Sequence, residues 1–325
     1  MQNQGKWRQT LDMIGASSTP AHRYHMSGLS VRSGIVLPMQ TDHRPDAAPV
    51  DVTIELGDVP DRLNEFTHRG ANWWSNADHC LLILPGIGRF LASGGRQLTV
   101  MPDPGIAVDD LVVFITGTVM SAVLYQRGAF LLHASAVVHD GRAYVFCGSS
   151  GAGKSTLSAA LVRAGCEFLS DDLCSIRHSA DAPPLVEADG RTLRLYDDSI
   201  RTLGLADAVG ARVRQQIEKF YVEPPSGSGL RAGSVPLGAI YMLGDANPTH
   251  PEGLTRLPPL DAAQALLRES YRRRLALAYS AKGALAARTA TLLKYTGVFA
   301  CHRRRDLSRL DEGVDLLMSH WKGLS

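Results

Sequence analysis

The residues of this sequence that could carry out chemistry are concentrated in a glycine-rich run, Gly148–Thr156. The run fits the phosphate-binding pattern G-x-x-x-x-G-K-[ST] at every fixed position. Glycines let successive backbone N–H groups point at phosphate oxygens from the positive end of a helix. In this pattern the lysine reaches the β- and γ-phosphates, and the following hydroxyl ligates Mg²⁺. We therefore predict a nucleotide-binding loop made of Gly148, Ser149, Ser150, Gly151, Ala152, Gly153, Lys154, Ser155 and Thr156.

Phosphoryl transfer also needs a metal, a group that positions or deprotonates the acceptor, and cations for the developing charge. Asp171 and Asp172 offer a base and a metal ligand, although adjacent aspartates can also simply cap a turn. His133 could hydrogen-bond a carboxylate or a γ-phosphate oxygen, or be a satisfied core residue. Arg194 and Lys219 are candidate phosphate clamps, and the alternative for both is an ordinary surface position.

Strands and a helix must position these side chains around the loop. Ala143–Cys147 is apolar and β-rich, which predicts a buried strand before the loop, and 157–164 predicts a helix after it. Phe130–Val138 predicts one strand, and a hairpin turn at Asp140-Gly141 joins it to the strand before the loop, so His133 should lie close to the loop. Cys166–Leu169 predicts a strand that ends at Asp171 and Asp172, where a parallel sheet presents its ligand side.

The remainder of the second half alternates helices and strands. Asp109 and Asp110 should cap a helix that runs to about Gln126 and is apolar nearly all round, hence buried. A strand is expected at 193–196, followed by a helix that Asp197-Asp198 caps and that runs through Leu203. The segment from Gln216 to Val222 leads into a mobile loop at Glu223–Gly229. A strand is expected at 235–243, mainly helix over 260–300, and a final helix at 311–321.

The first hundred residues favour β-structure after a weakly ordered lead-in at 1–20. Short β-prone runs separated by Gly, Pro and Asp predict a small sheet. These runs are 29–31, 35–37, 50–54, 80–84, 89–91 and 97–100. The pair Trp73-Trp74 could line a ligand groove, but packing in the core of a small β-domain is the favoured interpretation.

Composition excludes several classes of function. A net charge of +2 over 325 residues gives no overall field that would attract nucleic acid or a membrane surface. The basic runs 271–274 and 302–305 are expected to be solvated faces, with binding of an acidic or peptide partner as the alternative. Five scattered cysteines do not form a disulfide or zinc pattern. The first ten residues lack the apolar core of a signal peptide, and Leu111–Tyr125 is expected to be too short to span a bilayer. A cytosolic enzyme is the expectation.

Three runs in this order resemble the catalytic core of the HPr kinase/phosphorylase family. They are Leu132–Val137, Gly148–Thr156 and Leu169–Asp172. The family has a His-Gly/Ala-x-x-Val strand, then a G-x-x-G-x-G-K-S loop, then an Ala-Asp-Asp strand end. The resemblance implies an α/β fold with a P-loop kinase core of the phosphoenolpyruvate-carboxykinase type, on a mixed sheet. The β-prone runs before this core add a small β-rich N-terminal region, which does not resemble the family's usual regulatory domain. It also implies that Asp171 is the base for an acceptor serine with His133 beside it, and that Asp172 and Ser155 hold Mg²⁺.

The sequence departs from the family near Thr192–Tyr196, where the family has Met-Glu-Ile-Arg-Gly. Arg194 matches, but the Glu and the following Gly do not, which disfavours the reverse reaction and recognition of HPr. These features look more like the HPr-kinase-related enzymes of peptide-modification clusters, including lasso-peptide clusters, which phosphorylate a serine of a precursor peptide. Residues 1–108 would then be a β-rich accessory region and 109–325 the catalytic domain, with Lys219 and the Pro-rich segment after it helping to seat a peptide.

The expected function is an ATP- and Mg²⁺-dependent serine kinase that acts on a peptide or small protein, as a monomer or a homo-oligomer. The alternatives are an HPr kinase/phosphorylase, a nucleotide-sensing module without phosphate transfer, and a small-molecule kinase. No motif in the sequence distinguishes ATP from GTP or names the acceptor.

Overall fold

The computed structural model describes residues 21–42, 48–179, 181–214, 217–224, 233–281 and 283–324. The predicted lead-in at 1–20 and most of the predicted loop at Glu223–Gly229 lie outside these ranges. The described residues form three sheets and eight α-helices.

Side chains that alternate between buried and exposed positions build the N-terminal sheet, as the period of a strand requires. Its order is β1-β2-β3-β8-β7-β6-β5-β4. The strands are β1 (His22–Met26), β2 (Leu29–Ser33), β3 (Val52–Leu56), β4 (His68–Arg69), β5 (Trp73–Ser75), β6 (His79–Leu84), β7 (Gly88–Ser93) and β8 (Gln97–Pro102). The predicted strand at 35–37 is wrong: Ile35 and Leu37 are buried, but their backbone pairs with no strand.

A long apolar helix packs against this sheet. It consists of α1 (Val108–Phe114), a π-helical turn at Ile115–Val119, and α2 (Met120–Gln126). It is 19 residues long, and an 18-residue window of it has a mean hydropathy of 1.6, which is enough by length and composition to cross a membrane, yet 67% of that window is buried inside the protein. The helix predicted to run to about Gln126 is confirmed, but the expectation that this stretch is too short to span a bilayer is wrong by length; its burial is that of a core helix. The predicted cap is wrong, because Asp109 and Asp110 lie in the first turn and cap no N–H group.

The second sheet is mixed, as predicted. Its order is β12-β10-β11-β18-β14-β13-β9, with β20 paired to both β18 and β19. The strands are β9 (Phe130–Leu132), β10 (Ala134–His139), β11 (Arg142–Cys147), β12 (Glu167–Ser170), β13 (Cys174–Ser179), β14 (Ala182–Glu187), β18 (Ser234–Asp245), β19 (Gly253–Arg256) and β20 (Gly297–Arg303). The central strands β11, β18 and β20 are parallel, and the outer pairs are antiparallel.

Two predictions about this sheet are wrong in detail. The single strand expected at 130–138 breaks at His133, because β9 pairs with β13 whereas β10 pairs with β11 and β12. His133 itself donates its backbone N–H to Glu269, outside the sheet. The expected helical region ends early, since 297–303 forms β20, where Val298 and Phe299 are buried beside β18.

Helices and a small third sheet complete the fold. The third sheet has the order β15-β17-β16, with β15 (Leu193–Tyr196), β16 (Val209–Arg214) and β17 (Ile217–Val222). The helices are α3 (Lys154–Arg163), α4 (Asp197–Leu203), α5 (Pro259–Arg268), α6 (Arg273–Ala278), α7 (Ala284–Tyr295) and α8 (Leu310–Lys322). The helices predicted after the loop, at 197–203 and at 311–321 are confirmed. The predicted cap at Asp197-Asp198 is wrong, because both residues lie in the first turn of α4 and Tyr196 precedes it. The predicted division of the chain at 108 stays a prediction.

Candidate active site

Three glycines of the loop between β11 and α3, Gly148, Gly151 and Gly153, have positive φ angles, which favour glycine. Gly148 and Gly153 have φ angles of 148° and 83°. A Cβ on Gly153 would lie 2.6 Å from Nη2 of Arg303, and one on Gly148 would lie 3.0 Å from the carbonyl oxygen of Leu243. The Lys154 ammonium is buried against the same loop, where it donates to the carbonyls of Gly148 (2.7 Å) and Ser149 (3.2 Å). Burial lowers the pKa of Lys154, and Asp171 opposes that shift.

Strand directions bring the two aspartates to this loop. β10 runs antiparallel to both β11 and β12, so β11 and β12 run in the same direction and their C-terminal ends meet at one edge. The glycine-rich loop follows the C-terminal end of β11, and Asp171 follows the C-terminal end of β12. Ser155 Oγ donates to Asp171 Oδ1 over 2.8 Å, and the Ser135 hydroxyl donates to the same oxygen.

Asp171 is a buried carboxylate, and one of its two oxygens accepts no hydrogen bond from the described residues. Its side chain is 2% exposed, and Oδ2 has no hydrogen-bond partner among the described residues, although Arg194 Nε lies 3.8 Å away. Burial opposes its ionisation, but Lys219, Arg194 and the two serine hydroxyls together hold the pKa of Asp171 below its usual value. The side chain is therefore an anion at neutral pH.

Asp172 points to a different set of partners. Its φ of 75° is unusual for a residue other than glycine and turns the chain sharply after Asp171. Arg194 Nη2 lies 3.0 Å from Oδ2, and His133 Nδ1 lies 3.3 Å from Oδ1. The Tyr271 hydroxyl donates to Oδ2 over 3.4 Å. Burial is again outweighed, here by Arg194, His133 and Arg191, and the pKa of Asp172 falls well below its usual value.

These side chains surround a cavity of about 450 Å³, which we call the loop cavity. Most of the predicted residues line it, namely His133, Ser150, Gly151, Gly153, Lys154, Ser155, Thr156, Asp171, Asp172, Arg194 and Lys219. Gly148, Ser149 and Ala152 do not line it, but their carbonyls accept hydrogen bonds from Lys154 and Arg303. Lys219 lies opposite Tyr196 on the β15–β17 pair, with Nζ 5.4 Å from the Tyr196 ring. Burial lowers the pKa of Lys219, and Asp171 opposes this.

Several residues of the site were missed in the sequence. Ser135 was within reach, since it lies two positions from His133 in a strand. Arg191, Glu269 and Tyr271 come from distant segments that show no local pattern. Arg303 and Arg305 both line the loop cavity. The interpretation of 302–305 as a solvated face is wrong for Arg303, which is half-buried and donates to the Ala152 carbonyl, whereas Arg305 is exposed as expected.

The N-terminal sheet reaches this site through a buried chain of polar contacts. Ser27, in the turn between β1 and β2, donates to Asp189 Oδ1 over 3.0 Å. Asp189 Oδ2 accepts from Nε of Arg191, whose Nη1 lies 3.8 Å from Asp172 Oδ2. Asp189 and Arg191 are 1% and 3% exposed, respectively. The side chain of Asp172 is thus supported from the accessory region.

No protein-family profile matches this chain, and a search of curated proteins finds no similar sequence. Among solved structures, the chain is similar to the Hpr(Ser) kinase/phosphatase from Coxiella burnetii, with 13% identity and a TM-score of 0.33. The similarity covers 60% of this chain and 97% of that chain. Because so low a TM-score carries no weight, any function proposed for this chain must rest on the geometry of the site.

Proposed function

We propose that this chain is an ATP- and Mg²⁺-dependent kinase that transfers the γ-phosphate to a serine hydroxyl of a peptide or small protein. The observation that carries the proposal is the hydrogen bond from Ser155 to Asp171. It joins a glycine-rich loop with a buried lysine to an ionised carboxylate, inside one cavity that also holds Arg194 and Lys219. Phosphoryl transfer depends mainly on such positioning and charge.

The residues present fit a nucleotide phosphate and a magnesium ion. The loop supplies backbone donors at the start of α3, and Lys154, Arg194 and Lys219 supply positive charge. Ser155 Oγ and the unpartnered Oδ2 of Asp171 are oxygen ligands of the kind Mg²⁺ prefers. The described residues contain no group of three His, Cys, Asp or Glu that could hold a metal, which suits an ion that keeps several waters and phosphate oxygens. When bound, Mg²⁺ would offset the charge of the phosphates.

The contacts of the two aspartates support a division of tasks opposite to the one that the resemblance implies. Ser155 is bonded to Asp171, so we assign Asp171 with Ser155 to the metal. Asp172 is bonded to His133 and Arg194, so we assign Asp172 with His133 to the acceptor hydroxyl.

The finer proposal for the acceptor is a serine of a precursor peptide of the lasso type. The missing Glu of the family signature near 192–196 weighs against HPr as the substrate. If no peptide accepts phosphate, the alternative functions are a nucleotide-sensing module and a small-molecule kinase.

Mass spectrometry tests the proposal. HPr, and any precursor peptide encoded next to this chain, are incubated with the protein, ATP and Mg²⁺, with Asp171→Asn as the control. We expect the mass of one phosphate on a serine of the peptide, and none with the variant. Bound ATP without phosphate on any acceptor would contradict the kinase assignment.

A further inference from the structure

The loop cavity adjoins a second cavity at Asp172 and His133. This rear cavity, of about 410 Å³, is lined by Asp172, His133, Glu269, Tyr271, Arg268 and Arg272. Both cavities share His133 and Asp172 in their walls. A group in the rear cavity would therefore lie next to Asp172 and His133, beside the loop cavity.

The rear cavity continues at Arg272 into a surface groove of about 500 Å³. Arg272 lines both spaces. One side of the groove is apolar, with Trp73, Leu84 and Phe114, and the other carries Arg272, Arg273 and Arg274. We call it the Trp73 groove. Trp73 packs partly against the core, as the favoured interpretation expected, and it also lines this groove.

The three arginines of the groove are exposed and lack acidic partners. In the described part of the chain, none of them forms an ion pair, and Arg272 only stacks over the Tyr271 ring at 5.7 Å. Several exposed arginines elsewhere are paired, as in Arg201 with Asp197 and Arg305 with Asp245. The groove therefore presents uncompensated positive charge beside an apolar wall, which is complementary to an acidic chain with an apolar side chain.

The rear cavity, unlike the groove, has carboxylates in its lining. Glu269 lines it with a side chain that is 13% exposed and whose only ion pair in the described ranges is a 3.5 Å contact with Arg268. The carboxylates of Asp172 and Glu269 offset the charges of Arg268 and Arg272 in this lining, so the rear cavity offers an anion no excess of positive charge. Acidic residues are thus favoured at the groove rather than next to the accepting serine.

We propose that the acceptor is an acidic peptide segment that enters through the Trp73 groove and places a serine in the rear cavity. Its carboxylates lie on Arg272–Arg274, and an apolar side chain lies against Trp73. Phosphate transfer at this position rests on the proposed function. The serine oxygen bonds to the γ-phosphorus while the bond to the β–γ bridging oxygen breaks, ADP leaves, and the hydroxyl proton passes to Asp172.

Synthetic peptides test this inference. Each carries one serine, one leucine, and several aspartates placed away from the serine; its counterpart has asparagines at those positions. Binding is measured by fluorescence anisotropy and transfer by mass spectrometry, with Arg273→Glu/Arg274→Glu and the matched control Arg96→Glu. Arg96 is exposed at the β7–β8 turn, at the end of β7 opposite the Leu84–Gly88 pair.

We expect the aspartate peptide to bind and react roughly tenfold better than its counterpart at low salt. The preference should vanish or invert in Arg273→Glu/Arg274→Glu, persist in Arg96→Glu, and shrink at high salt in the unchanged protein. If both peptides are used equally, or if the preference survives charge reversal, the proposed role of the Trp73 groove is wrong, whereas the kinase assignment still holds. Arginine-dependent binding of the aspartate peptide without phosphate transfer supports the groove and overturns the kinase. If neither peptide binds, the proposed role of the Trp73 groove is wrong.

Discussion

The two walls of the site are built in different ways. The loop wall comes from one contiguous stretch, Gly148–Thr156, whose glycines have positive φ angles and whose lysine donates to carbonyls of the loop itself. The wall around Asp172 is assembled from β9–β10, from the segment at 189–194, and from the segment before α6. The first wall is set by local backbone geometry, and the second depends on how the whole fold, including the N-terminal sheet, comes together. Substitutions should therefore act differently on the two walls.

The largest effect is expected from Lys154→Ala in the loop wall. The ammonium is the buried cation of the loop, so its loss should weaken ATP binding and lower transfer by a factor of roughly a hundred or more. Calorimetric titration with ATP and the phosphorylation assay measure the two effects. Lys322→Ala, at the exposed end of α8, serves as the control and should change neither. Unchanged ATP affinity in Lys154→Ala would remove the loop from the phosphate site.

The next effect separates the two aspartates. Asp171→Asn and Asp172→Asn should each lower transfer by roughly a hundredfold or more, because both carboxylates are used in the reaction. Only Asp171→Asn should raise the Mg²⁺ concentration needed for half-maximal activity, since Asp171 is the partner of Ser155. Titration of activity with Mg²⁺ measures this. A raised requirement in Asp172→Asn alone would restore the assignment implied by the family resemblance.

A third, smaller effect concerns the support of Asp172 by Arg191. Removal of Arg191 alone would leave Asp189 as a buried unpaired anion, so the pair is removed together in Asp189→Asn/Arg191→Met. Loss of the Arg191 charge should raise the pKa of Asp172 from its depressed value, although Arg194 still holds it low. The acid limb of the kcat profile should then move to higher pH, with kcat lower by about tenfold and the KM for ATP little changed.

The control for this pair is Asp189→Asn alone, which keeps Arg191. It should leave the acid limb at or below its original pH, because the guanidinium is then free to favour the anion of Asp172. A pH profile that is the same in the unchanged protein and in the double variant would reduce Arg191 to a structural residue.

This difference between the walls also explains what could be read from the sequence. The loop, its flanking strand and helix, and the carboxylates at the strand end follow from local patterns and were predicted. The break at His133 was not, since it arises because β9 and β10 join different partners far along the chain. Arg191, Glu269 and Tyr271 reach the site only through tertiary packing, and no spacing around them differs from that of surface residues. Strand 297–303 was hidden for the same reason: its pairing with β18 decides its conformation.

The smallest effect tests how firmly the N-terminal sheet is tied to the Asp172 wall. Ser27→Ala removes the hydrogen bond to Asp189 and should lower the free energy of unfolding by roughly 1–2 kcal/mol near neutral pH, with activity changed by less than about threefold. Ser93→Ala is the control, because the Ser93 hydroxyl makes no hydrogen bond with the described part of the chain. Denaturant unfolding measures both variants.

The pH dependence of that loss identifies its cause. Burial already raises the pKa of Asp189, and the Ser27 hydroxyl bond opposes that rise. Without the bond the folded-state pKa rises further, so the stability deficit of Ser27→Ala is small at pH values below the unfolded pKa, where the carboxyl is protonated in both states. The deficit grows as the pH rises through the folded-state pKa, because the buried anion must then form with one donor fewer. A deficit that is constant with pH would assign the loss of stability to the β1–β2 turn, where Ser27 has a φ of 50°. The N-terminal sheet would then have no electrostatic effect on Asp189.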